Sequence, residues 1–206
     1  MRAVALALAL CATPVGAETA LPALYDVAGV AANDVLNIRT APGSQSPIIG
    51  GLGPDATGAE VVALSPDGKW GQVNAGEGTG WVAMAYLAPQ PRAPWFTMQG
   101  PLSCFGTEPF WSVGIDARMA NRMQFTTPDA ADLSLDLISV WSGEDWHPVA
   151  GMTFAAAEAS GMAVIRAEAC SDGMSDRAFG LAIDLFMSGK GGADSRALRG
   201  CCALAP

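Results

Sequence analysis

A single histidine, His147, serves 206 residues, and lysine and arginine together number 11 against 20 aspartates and glutamates. With so little histidine, nucleophilic catalysis of the serine or cysteine type has one possible base. That base lies in Glu144-Asp145-Trp146-His147-Pro148, which reads as an exposed turn. No Gly-x-Ser-x-Gly elbow and no His-Glu-x-x-His helix is present, and no glycine-rich phosphate loop follows a strand and opens a helix. An enzyme is therefore not expected. The shortage of cations gives a net charge of −9, which repels phosphate backbones and speaks against nucleic acid as a partner. Paired Cys-x-x-Cys knuckles are missing as well, so the cysteines do not read as a zinc site, and neither a metal nor a cofactor is expected. A spanning helix needs about 20 apolar residues. The longest candidate, Ala3 to Ala12, is far shorter and ends near Pro14.

That short run has a different reading. Arg2, the apolar stretch and the small residues Val15-Gly16-Ala17 form a signal-peptide pattern over residues 1–17, with Glu18 opening the exported chain. Leu8-Ala9-Leu10-Cys11 approximates a lipobox, but Leu10 is too large for the position before a lipidated cysteine. The expected location is the periplasm or the exterior, as a monomer not inserted in the membrane. Cys11 leaves with the signal, and Cys104, Cys170, Cys201 and Cys202 remain. An even count in an exported chain implies disulfides. A ring between adjacent Cys201 and Cys202 is strained, so Cys104 and Cys170 should each take one of them, in an order the spacing leaves open.

The rest of the chain alternates strand-sized apolar segments with glycine and proline turns, which predicts an all-β protein. Between Leu24 and Leu87 the expected strands are Tyr25–Val27, Val35–Ile38, Ile48–Leu52, Ala59–Leu64, Trp70–Val73 and Gly80–Met84. Leu36-Asn37-Ile38-Arg39-Thr40-Ala41-Pro42-Gly43, Ile49-Gly50, Lys69-Trp70-Gly71-Gln72-Val73, Gly80-Trp81-Val82 and Tyr86-Leu87 together resemble a bacterial SH3 domain. The resemblance implies a small, partly open barrel over residues 18–87, of a kind often attached to envelope proteins for targeting or protein contact. Aromatic rings on such a barrel pack in its core or line a shallow groove, which makes Trp70, Trp81 and Tyr86 the candidate ligand-binding residues. Residues 88–95, with three prolines, read as a linker that holds two domains apart unless Trp95-Phe96 docks one on the other.

Residues 96–206 predict a second β domain, a curved antiparallel sheet or small barrel carrying both disulfides. Its strands are expected over Trp111–Ile115, Arg122–Thr126, Leu133–Trp141, Met162–Ala169, Ala178–Met187 and Leu198–Cys202. The segments Cys104-Phe105-Gly106-Thr107-Glu108-Pro109-Phe110-Trp111, Cys170-Ser171-Asp172-Gly173-Met174-Ser175-Asp176-Arg177 and Gly200-Cys201-Cys202 resemble a group of bacterial envelope proteins and lipoproteins to which no reaction is attached. Two carboxylates in these segments invite a chemical reading. Glu108, beside proline and aromatics, has the setting of a general acid, and Asp172 is its possible partner in a glycan hydrolase. Turn-forming carboxylates are the plainer reading of both. Asp172, Asp176 and their serines are too sparse for a calcium loop. The expected function is thus a binding or scaffolding protein of the cell envelope, contacting cell-wall peptide or glycan or an envelope protein, with a carboxylate hydrolase or inhibitor-like protein as the alternative.

Overall fold

A computed structural model describes residues 20–118 and 120–205, so the signal-peptide and lipobox readings lie outside the described residues. Two β domains follow one another. The first is built from β1 (Ala23–Val27), β2 (Leu36–Arg39), β3 (Ile48–Leu52), β4 (Ala59–Val61), β5 (Ala63–Leu64), β6 (Trp70–Ala75), β7 (Gly78–Ala83) and β8 (Leu87–Pro89). They form a five-stranded sheet in the order β3-β2-β7-β6-β5 and a three-stranded sheet in the order β4-β1-β8. The segment expected as one strand over 59–64 breaks at Val62, and its two halves join different sheets, as a chain does when it turns a barrel corner.

Alternation decides which side chains enter this core. Leu36 and Ile38 of β2 are buried while Asn37 and Arg39 are half-buried on the other face. Tyr25, Val27, Val61, Val73 and Val82 complete the cluster. Gly71 and Gly80 face the same way and are required there by crowding. A Cβ on Gly71 would lie 2.6 Å from Met84 Sδ, and one on Gly80 would collide with Ile38. The groups that approach Gly71 are the side chains of Met84 and Val61.

The second domain is an eight-stranded closed antiparallel barrel: β9 (Leu102–Thr107), β10 (Phe110–Asp116), β11 (Arg122–Thr127), β12 (Ala130–Glu144), β13 (His147–Ala155), β14 (Ala159–Cys170), β15 (Phe179–Gly189) and β16 (Arg196–Leu204). Each strand pairs with its neighbours in sequence, and β16 pairs with β9 to close the ring. Closure satisfies both edges that an open sheet would expose. The interior is filled by Val113, Ile115, Met123, Leu135, Phe154, Ile165 and Leu185, among others, every one buried. β13 was not expected from the sequence, because His147-Pro148 reads as a turn. The turn is in fact the two residues Asp145-Trp146, and His147 already opposes Glu144 in the ladder.

Strand alternation also resolves the disulfides. Adjacent residues of β16 point to opposite faces, so Cys202 enters the barrel core with Cys104 while Cys201 faces outward. The bonds are Cys104–Cys202, across the seam between first and last strands, and Cys170–Cys201.

The proline-containing segment does not hold the domains apart. Trp95 and Phe96, edge to face with ring centroids 5.7 Å apart, sit in the barrel core together with Met98. The Trp95 indole N–H donates to Leu21 O at 3.2 Å, and Arg92 Nη1 donates to Ala205 O at 2.8 Å. On another edge, the Asn74 side chain donates to Ala178 O and accepts from Ala178 N, at 2.9 and 3.0 Å, and Asp176 N donates to Glu77 O. The two domains are therefore docked through backbone groups of named residues on both.

Candidate functional site

The outward face of the five-stranded sheet carries the aromatic residues. In β6 the buried residues are Gly71 and Val73, and in β7 they are Gly80 and Val82, so Trp70, Gln72 and Asn74 share the opposite face with Trp81 and Ala83. Registration puts Trp70 opposite Ala83 and Gln72 opposite Trp81. Trp70 and Trp81 are therefore diagonal neighbours, a spacing that aromatic side chains bridge. Arg39 pairs with Trp81 and Ala63 pairs with Gln72, so Arg39, Trp81, Gln72 and Ala63 stand in one row across four strands. Both indoles are half-buried, neither sealed in the core nor standing free in water. One end of this face is covered, because Asn74 is engaged with Ala178.

Local sequence explains why the face is presented this way. Ser65 is buried, and its hydroxyl donates to Asp67 Oδ1 at 2.7 Å while accepting from Trp70 N at 3.0 Å. Asp67 Oδ1 also accepts from Lys69 N, and these bonds hold the Asp67 carboxyl below its usual pKa, Ser65 being the largest cause. Gly68 supplies the positive φ of 68° that closes the turn. The turn thus locks the start of β6, and Trp70 with it.

Tyr86 is elsewhere. It ends a single 3-10 turn, Met84–Tyr86, is 44% exposed, and its ring borders Gly29. Its carbonyl accepts from Ala28 N. Of the three aromatics expected at the groove, the fold brings Trp70 and Trp81 together and leaves Tyr86 outside the row. Arg39 joins them instead. Its outward direction follows from the alternation of Leu36-Asn37-Ile38-Arg39, but its pairing with Trp81 depends on the β2–β7 contact, which no local pattern encodes.

The motif residues of the barrel gather at one end. Glu108 and Pro109, joined by a cis peptide, are the central residues of the turn between β9 and β10. Glu108 is exposed there, so its apolar neighbours do not enclose it. Asp172 lies nearby, since Thr107 Oγ1 donates to its carbonyl at 2.9 Å. The Asp172 carboxylate, however, is occupied by its own loop: Oδ1 accepts from Met174 N and Ser175 N, and Oδ2 from Ser175 Oγ. These bonds, led by Ser175 N, hold its pKa below the ordinary value. Such a carboxylate is a loop fastener. Among the described residues no group of histidine, cysteine, aspartate and glutamate could hold a metal ion. His147 is exposed and its ring lies 5.7 Å from that of Trp146.

One carboxylate absent from these expectations is the most perturbed. Glu60 of β4 accepts Leu204 N at 3.0 Å across the domain interface. Burial there raises its pKa from 4.5 to about 7, against the smaller opposing effects of the Leu204 bond and of Arg177. Nothing around Ala59-Glu60-Val61 distinguishes it in the sequence, because its partner is 144 residues away.

A family model described as bacterial SH3 domain matches residues 34–88, which contain Arg39, Trp70, Trp81 and Tyr86. The match does not extend to the motifs of the barrel. No match was found among curated proteins or among solved structures.

Proposed function

We propose that this is a non-enzymatic binding protein of the bacterial envelope whose SH3 domain contacts cell-wall glycan or peptide, with the barrel as a rigid platform behind it. The observation that carries the reading is the diagonal pair Trp70 and Trp81 on one outward face, in a row with Arg39 and Gln72. Half-buried indoles offer flat apolar surface to sugar rings or peptide side chains, and the Gln72 amide, with the donors of Arg39 that are not used on Ser46 O, supplies directional hydrogen bonds. Two disulfides and a bacterial SH3 domain are compatible with an extracytoplasmic location.

The competing hydrolase reading asks Glu108 and Asp172 to act as acid and base. Asp172 is poorly suited, because its oxygens already accept three hydrogen bonds from its own loop. The test is co-sedimentation of the protein with purified peptidoglycan, beside a Trp70→Ala plus Trp81→Ala variant with folding checked by circular dichroism. Retention of the parent and release of the folded variant is the expected result. If the parent itself stays in the supernatant, the cell-wall reading is abandoned in favour of an envelope protein as partner.

A further inference from the structure

A cleft of about 590 Å³ lies between the two domains, and neither Trp70 nor Trp81 lines it. Its volume is in the range of small-molecule sites. Proline residues form much of its wall, including Pro22, Pro89, Pro94 and Pro101, and Leu24 and Trp95 add apolar surface. Such a wall is conformationally stiff, so little entropy is lost on filling it.

The charges are the telling feature. Arg118, just after β10, and Asp145, at the tip of the β12–β13 hairpin, both line the cleft. Neither makes a hydrogen bond or an ion pair with the described residues. Opposite charges that share one cleft would ordinarily neutralise each other, and this pair does not. Arg92 also lines the cleft; its Nη1 donates to Ala205 O and its charge acts on Asp26, while the other guanidinium donors make no hydrogen bond among the described residues. In a chain with 11 basic residues against 20 acidic ones, a cleft lined by two arginines and one aspartate is a local excess of positive charge.

We propose that this cleft binds a small zwitterion, a free amino acid or a short peptide with both termini unblocked. The arginines would take the carboxylate, for which a planar guanidinium is geometrically matched. Asp145 would take the ammonium group, and the proline and Trp95 surfaces the side chain between them. A simple anion leaves Asp145 without a role, and an uncharged ligand leaves all three groups unused. The inference does not rest on the peptidoglycan reading, since none of the residues of the aromatic face is involved.

The test is isothermal titration calorimetry with alanyl-alanine, its N-acetylated form and its C-terminal amide. The unblocked dipeptide should bind, and each blocked form should bind about tenfold more weakly, as expected for loss of one charge-assisted contact. In Arg118→Gln, with Arg92 still present, the preference for the free acid over the amide should shrink. In Asp145→Asn the acetylated and free forms should become equivalent. Both positions are exposed, so neither substitution removes a core contact. Absence of saturable binding by any of the three, or equal affinity for blocked and unblocked forms, overturns the proposal. Trp70→Ala plus Trp81→Ala should bind the dipeptide as the parent does, so failure of the cleft and failure of the wall-binding face are separate results.

Discussion

Trp111 shows what the glycines of the barrel motifs are for. It is buried, stacks on Phe125 with centroids 6.1 Å apart, and pairs across the ladder with Gly106. A Cβ on Gly106 would collide with the Trp111 indole and lie 2.8 Å from Arg199 O, while one on Gly200 would collide with Phe105 O. Because backbone as well as ring is in the way, Gly106→Ala should cost about 3 kcal/mol of unfolding free energy, the upper end for overpacking. Gly114→Ala on the neighbouring strand, where a Cβ meets nothing within 4 Å, should change it by less than about 0.5 kcal/mol. Urea denaturation of both variants checks the contrast, and equal losses would mean that the ring has room to move. The sequence marks Gly106 and Trp111 as members of one motif. It does not show that they face each other, since that depends on the Glu108-Pro109 turn bringing β9 back against β10.

Elements were legible where their own alternation declares them. The buried and exposed positions of β10 and β15 follow a period close to two, and the strands that alternation predicts agree with them to within two residues at each end. β13 was hidden by a proline beside the histidine, and the cysteine pairing waited on knowing which face of β16 turns inward. The β14–β15 connection was legible as a turn but not as a clasp. Asp172 fastens it internally, Cys170–Cys201 anchors its base, and its far end presents Ala178 and Asp176 to the β6–β7 hairpin. Asn74 is the part of that clasp a side-chain substitution reaches. Asn74→Ala removes two hydrogen bonds to Ala178 and should cost about 1 to 3 kcal/mol of docking. Amide exchange at residues 171–178 should accelerate while exchange within the core strands of each domain stays slow. Unchanged exchange in that loop would place the docking energy at the Trp95 side of the interface.

For the molecule as a whole, the consequence of docking is a dependence on pH set by Glu60. Among the described residues it is the one strongly shifted carboxylate at the interface, facing Leu204 N and, at longer range, Arg177. Its pKa is raised on folding from 4.5 to about 7, so the folded and docked state holds a proton that the open state gives up in between. The linkage therefore favours the docked state below pH 4.5, and that advantage disappears as pH rises through 7. At about 1.4 kcal/mol per pH unit the full swing is about 3 kcal/mol at most, and partial contact of the carboxylate with solvent reduces it. Asp26, Asp67 and Asp172 have lowered values, and their contributions are lost at the acid end, well below the window in which Glu60 titrates. The two disulfides hold the barrel through this range, closing stretches of 98 and 31 residues with about 5 and about 4 kcal/mol in chain entropy. The pH response should thus appear at the interface while the barrel stays closed. Urea unfolding of the first domain, followed through the amide resonances of its core residues Val61, Val73 and Val82, should show a midpoint that falls between pH 5 and pH 8. In Glu60→Gln, which keeps the acceptor for Leu204 N without the charge, the fall should vanish. A midpoint that falls equally in parent and variant would assign the pH dependence to another group and leave Glu60 as a neutral contact.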